Sequence, residues 1–269
     1  MDTSSTTTTT SSPFMPIFET FRDELDRHHD RRERIIKASR DITALSKKMI
    51  FSLQRVRQLN LALPADLGKE MATRQAAIDG LFTAVSPDLE GVNAWRYQKQ
   101  VAGGVQEYVE AVSFRHYLET QRLVTYAEAQ SKIPGGVALA EDDYLLGLFD
   151  LVGELMRFAI TSMATNGELP GGSSSGSSSQ DPERGRRDIL ADLRSLRTHF
   201  EALNTTSSTG VGSGAALGRE VEKKMEVMKT CVEKVENAVY GMIVRGRERP
   251  KGWVPGLRED RAGEPVESY

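Results

Sequence analysis

At 269 residues, with a formal net charge of -3 at pH 7, the chain has room for one large or two small domains, and its acids and bases nearly cancel. Balanced charge excludes a general pull toward nucleic acid, so any such binding needs a local basic patch or a more basic partner. A single cysteine, Cys231, excludes an internal disulfide framework and fits a reducing compartment, and no apolar run reaches the roughly 18 residues that span a bilayer.

Met1 to Ser12 is rich in Ser and Thr, with neither a basic start nor an apolar stretch, and is expected to be a disordered tail and not a signal peptide. From Ile17 to Leu61 there is no Pro or Gly. Ile35, Ala38, Ile42, Leu45, Met49, Leu53 and Val56 recur at three- and four-residue steps, which predicts one long amphipathic helix. Its charged first half, Arg22 to Arg34, is expected to project or to face a polar partner, with His28 and His29 as a solvated pair. The second half adds Arg40, Lys47, Lys48, Arg55 and Arg57, either a solvated face or a set of phosphate contacts.

Pro64 ends that helix and permits another through Glu70 to about Val85. A third is expected from about Asp88 to Arg122, softened near Gly103 and Gly104. It carries Glu107 and Glu110, three apart and in line with Ala111, Phe114 and Leu118. After the Ile133-Pro134-Gly135-Gly136 turn, Glu141, Asp142 and Asp143 suit the start of a helix running to about Met163. Between Tyr144 and Ile160 its only charges are Asp150, Glu154 and Arg157, on one stripe with Asp143 and Gly147. Periodicity leaves two readings open for the acid pairs: thin solvent stripes, or a cluster able to hold a hard metal ion.

Gly171 to Gln180 is too polar to order itself, Asp188 to Leu203 resumes a helix, and Asn204 to Gly218 is a second polar connection. A last helix, Glu220 to Val244, places Val221, Met225, Met228, Val232, Val235, Val239 and Met242 at alternating four- and three-residue steps, a packing seam. No convincing strand appears. The expectation is an all-α bundle of about seven helices in one domain over residues 16–246. Flexible loops are expected near 167–186 and 204–218, and disordered tails over 1–15 and 247–269.

Phosphate loops, zinc spacings and nucleophile turns are missing; Ser113 and His116, three apart on one helix, are a weak catalytic signal. Oxygen-only ligands select Mg2+ or Mn2+, ions that commonly serve phosphoryl transfer. A di-iron site would call for Glu-x-x-His, but three residues after Glu107 stands Glu110, and three after Glu110 stands Ser113.

The blocks Arg31 to Thr43, Gln106 to Phe114, Asp143 to Gly147, Gly153 to Arg157 and Val235 to Gly246 resemble, in order, the translin family in its translin-associated factor X branch. The resemblance implies a translin-type helical fold and assembly with translin into a closed hetero-oligomeric shell, an octamer. It also implies Mg2+-dependent endoribonuclease activity on single-stranded RNA, with Mn2+ as the alternative ion, linked to passenger-strand removal in RNA silencing and to tRNA processing. DNA is a second ligand class and no membrane is involved. It carries the catalytic and metal-binding roles onto Glu107, Glu110, Asp150 and Glu154; Arg40, Lys47, Lys48 and Arg55, from the basic half of the first helix, are the candidate RNA contacts. A non-catalytic adaptor that stabilises translin is the alternative. Cytoplasmic and nuclear residence is implied, though the N-terminal tail lacks a basic import cluster, and the Ser/Gly-rich stretch is a departure that resembles an insertion.

Overall fold

The computed structural model describes residues 12–171, 187–203 and 213–245; the expected C-terminal tail, residues 1–11 of the expected N-terminal tail and most of both expected loops lie outside the described residues, while Met15, at the end of that expected N-terminal tail, opens the first helix. Within them the chain forms α1 (Met15–Leu53), α2 (Ala65–Val85), a 3-10 turn (Ser86–Leu89), α3 (Val92–Thr120), α4 (Tyr126–Ser131), α5 (Glu141–Asn166), α6 (Ile189–Glu201) and α7 (Ser213–Arg245). Among the described residues there is no strand, so the all-α expectation holds.

The long helices pack around a single core. Ser39 of α1 meets Val101 and Gly104 of α3, while Asn60, beyond the end of α1, bonds Leu118 and Gln121, so α1 and α3 run parallel. Gln106 of α3 donates to Asp143 of α5 at 2.7 Å, and Phe114 stacks edge-on against Phe158, so α3 and α5 are parallel too. α7 lies on α5, and its buried Val221, Met228, Val232 and Val235 supply much of the expected seam. α2 runs back against α1, its Arg74 donating to the Lys48 carbonyl at 2.8 Å.

Close approach fixes the register of these pairs. A Cβ on Gly104 would stand 2.8 Å from the Ser39 carbonyl oxygen, and one on Gly147 would stand 2.9 Å from the Gln106 carbonyl oxygen. Both glycines are therefore contact points between helices, and α3 runs unbroken through Gly103 and Gly104 where softening was expected. At the far end of α3, buried Asp192 of α6 accepts from Tyr117 at 2.7 Å and Gln121 at 2.9 Å, and pairs with Arg187 at 2.5 Å. That network satisfies a buried charge and ties α6 to α3.

Several element ends differ from expectation. α1 stops at Leu53 and not near Leu61, because Gln54 turns its amide to the Glu154 carbonyl and carboxylate, and Asn60 adopts φ 61° to bond the end of α3. Tertiary bonds there outweigh helix propensity. The short α4 arises from a capping box in which Thr125 and Glu128 satisfy each other's backbone. α7 begins at Ser213, inside the stretch read as a connection, where Ala215, Ala216 and Leu217 favour helix despite the flanking glycines.

From Met15 to Arg27 every residue of α1 is exposed, so this half projects beyond the bundle as its charge suggested. It also carries Phe14, Phe18, Phe21 and Leu25 at four-three-four spacing, an apolar stripe that the charge count concealed. His28 is not a solvated partner of His29: its Nδ1 lies 2.5 Å from the Tyr97 hydroxyl, against α3. No described helix is long and apolar enough to cross a membrane.

Candidate active site

The parallel run of α3 and α5 brings Glu107 and Glu110 level with Asp150 and Glu154. All four line one cleft of about 700 Å³. α3 and α5 form its floor, α1 one wall through Lys47, Ile50 and Phe51, and α7 the other through Lys223, Lys224, Val227, Met228 and Cys231. The thin-stripe reading is thereby set aside: Glu110 and Glu154 are each only 8 % exposed.

Each acid has its own surroundings. Glu107 faces Lys47 at 3.7 Å, and burial pushes its carboxyl up, opposed by Lys47 and reinforced by Asp150 and Glu154. Glu110 is pushed up to about 8, first by burial and then by the charges of Glu107, Asp150 and Glu154, with Lys224 acting the other way. Asp150 receives both of its bonds from one ammonium, Lys224 Nζ at 2.5 and 2.6 Å. Glu154 accepts from Gln54 Nε2 at 2.6 Å and pairs with Arg157 at 3.2 Å. Burial first, and the neighbouring acids second, thus favour the protonated form of Glu110, while Asp150 takes its positive charge from a lysine.

The donor set suits a hard divalent ion, since all four groups offer oxygen and the cluster gains by taking up positive charge. As arranged, no group of three or more His, Cys, Asp or Glu among the described residues is close enough to share a metal. Asp150 points to Lys224 and Glu154 to Gln54, so a shared ion requires those side chains to turn inward.

Of the four candidate RNA contacts, Lys47 lines the cleft. Arg40 and Lys48 are exposed on the same side of α1, whereas Arg55 is engaged by Glu70 of α2 at 2.5 Å. Ser113 is buried with an unbonded hydroxyl, while His116 lines a different pocket with Arg115 and Lys132, so the two do not form a catalytic pair. Sequence reasoning missed Lys223, Lys224 and Arg157 as cleft residues. The signal for the lysines was available: they fall between Val221 and Met225 of the seam, on the border of the packed face.

A family model described as translin family matches residues 30–246. Mouse translin-associated protein X is 33% identical over 269 aligned positions, covering 90% of this chain and 82% of the mouse protein. The Schizosaccharomyces pombe translin-associated protein X homolog is 30% identical, covering 86% and 89%. Chicken translin is 25% identical, covering 78% and 89%. Among solved structures, AfC3PO superposes with a TM-score of 0.56 at 18% identity, covering 84% of this chain and 97% of that one. The AfC3PO–duplex RNA complex gives 0.52 at 19%, covering 86% and 99%. These two likenesses establish a common fold.

Proposed function

Because the chain belongs to the translin family, we propose that it is the catalytic subunit of a hetero-oligomeric, Mg2+-dependent endoribonuclease, active in complex with translin on single-stranded RNA. One observation carries this reading: four carboxylates from two parallel helices share a single cleft with Lys47, Arg157, Lys223 and Lys224. Acids at the floor suit a metal ion, and bases at the walls suit the phosphate it would act on.

Glu107, Glu110 and Asp150 are the residues that would hold Mg2+. Bound there, the ion supplies positive charge that activates a water and offsets charge on the leaving oxygen. Glu154, which accepts from Gln54, would turn inward to complete the ligand set or to take a proton from the water. Lys223, Lys224 and Arg157 would receive the non-bridging phosphate oxygens, and Lys47 would face the incoming strand. Two acids would then exchange a proton and a lysine for the substrate complex, which makes Lys224 mobile in function.

An alternative, in which the chain is a non-catalytic adaptor for translin, is favoured by the satisfaction of Asp150 and Glu154 within the protein itself. Nuclease assays of translin alone, of the complex, and of a complex carrying Glu107→Gln, Glu110→Gln and Asp150→Asn separate the two. The catalytic reading expects activity in the wild-type complex alone, with cleavage down at least about a hundredfold in the triple variant. Equal cleavage by both complexes would establish the adaptor.

A further inference from the structure

The mouth of the cleft carries two apolar side chains that the fold does not use. Phe51 of α1 is 76% exposed and Val227 of α7 is 63% exposed, yet both line the cleft that holds the acids. Neighbouring Ile50, Leu53 and Met228 are buried in the core, so helix packing does not require Phe51 or Val227 to be apolar. An exposed phenylalanine at a charged cleft is a poor choice for solubility alone.

Its surroundings indicate what covers it. Lys47 and Lys48 lie four and three residues before Phe51 on α1, within one turn, and both are exposed. Arg40 continues that exposed face toward the N-terminus. An aromatic ring interleaved with cations along one helix face matches the chemistry of single-stranded nucleic acid, whose bases stack while its phosphates pair. Across the cleft, Lys223 and Val227, four apart on α7, repeat the pairing of a cation with an apolar group.

We infer that Phe51 and Val227 form the two sides of a nucleobase slot at the mouth of the cleft, which takes one unstacked base while Lys47 and Lys223 hold the adjoining phosphates. This rests on the proposed RNA cleavage and deepens it. The slot selects single strands, because a base paired within a duplex cannot turn out to enter it without unstacking. It also sets the register of the chain: with one base held at the rim, the next phosphate is presented to the acids on the floor.

The test uses the complex with translin and a short single-stranded RNA carrying 2-aminopurine, in EDTA so that binding is read without cleavage. Stacking on Phe51 should quench the probe. Phe51→Ala should abolish the quench and weaken binding about tenfold, and Phe51→Trp should restore both. Replacing the probe nucleotide by an abasic one should weaken binding to wild type by a similar factor, and should add nothing to Phe51→Ala. Unchanged quench and affinity in Phe51→Ala would overturn the slot. So would loss of translin from the Phe51→Ala complex on size exclusion, which would make Phe51 a subunit contact. A wild-type complex that quenches the probe yet never cleaves RNA in Mg2+ would keep the slot and remove the nuclease reading.

Discussion

At the scale of single residues, the cleft is a cluster of like charges relieved by whatever positive charge is at hand. Lys224 holds Asp150 from 74 residues away in sequence, a partnership that no local pattern could reveal. On the proposed function a divalent ion would have to displace it. Lys224→Met should therefore raise the melting-temperature gain on adding Mg2+ by several degrees over wild type, in thermal scans without RNA; an equal gain would mean that the ammonium and the ion do not compete. Glu110 gives a pH signature. Its carboxyl, lifted from 4.5 to about 8 by burial and by its neighbours, holds a proton that the unfolded chain has released. The stability tied to that proton is full in acid, declines from about pH 4.5 upward and is gone above about pH 8. Glu110→Gln should match wild type at pH 4 and melt a few degrees higher at pH 8.5 in EDTA, as a pH series of melting scans would record. The positions of the carboxylate stripes were legible from period, and Glu107 and Glu110 in line with Phe114 and Leu118 argued against open water, but spacing alone left solvent stripe and ion cluster both open. Which acid would be protonated was not, because that depends on distances across the bundle.

At the scale of helices, the acids meet because α3 and α5 approach closely at Gly147. An added methyl there would meet the Gln106 carbonyl oxygen at 2.9 Å and the Val109 side chain at 2.9 Å. The backbone cannot give way as a flexible side chain would. Gly147→Ala gains up to about 1 kcal/mol of helix propensity, but overpacking costs about 1–3 kcal/mol, so net destabilisation and a cleavage defect from misplaced Asp150 are expected. Gly103→Ala, with open space around its Cβ, should instead stabilise by about 0.5–1 kcal/mol. Urea unfolding of the two variants checks both signs. Helix existence was readable from period alone for α3, α5, α6 and α7, since each buries a stripe. Helix ends were not: α1 stops where Gln54 finds Glu154, a hundred residues on, and α4 rests on six residues and one capping box.

At the scale of the molecule, the start of α1 stands out from the bundle, exposed from Met15 to Arg27. Its exposed stripe of Phe14, Phe18, Phe21 and Leu25 is unpartnered among the described residues. If translin covers it, replacing Phe18 and Phe21 by Ser should lower the yield of the complex on size exclusion while leaving the helical content of the chain unchanged; an intact complex would assign the stripe another role. The first thirteen residues of α1, about 20 Å of helix at 1.5 Å per residue, are exposed throughout and carry Arg22 and Arg27. Such a segment opens at little free-energy cost and is a ready substrate for trypsin-like proteases. If translin covers the helix, a copy without its partner should be cut at this end first and an assembled copy spared, and the overhang would then couple the lifetime of each copy to its assembly.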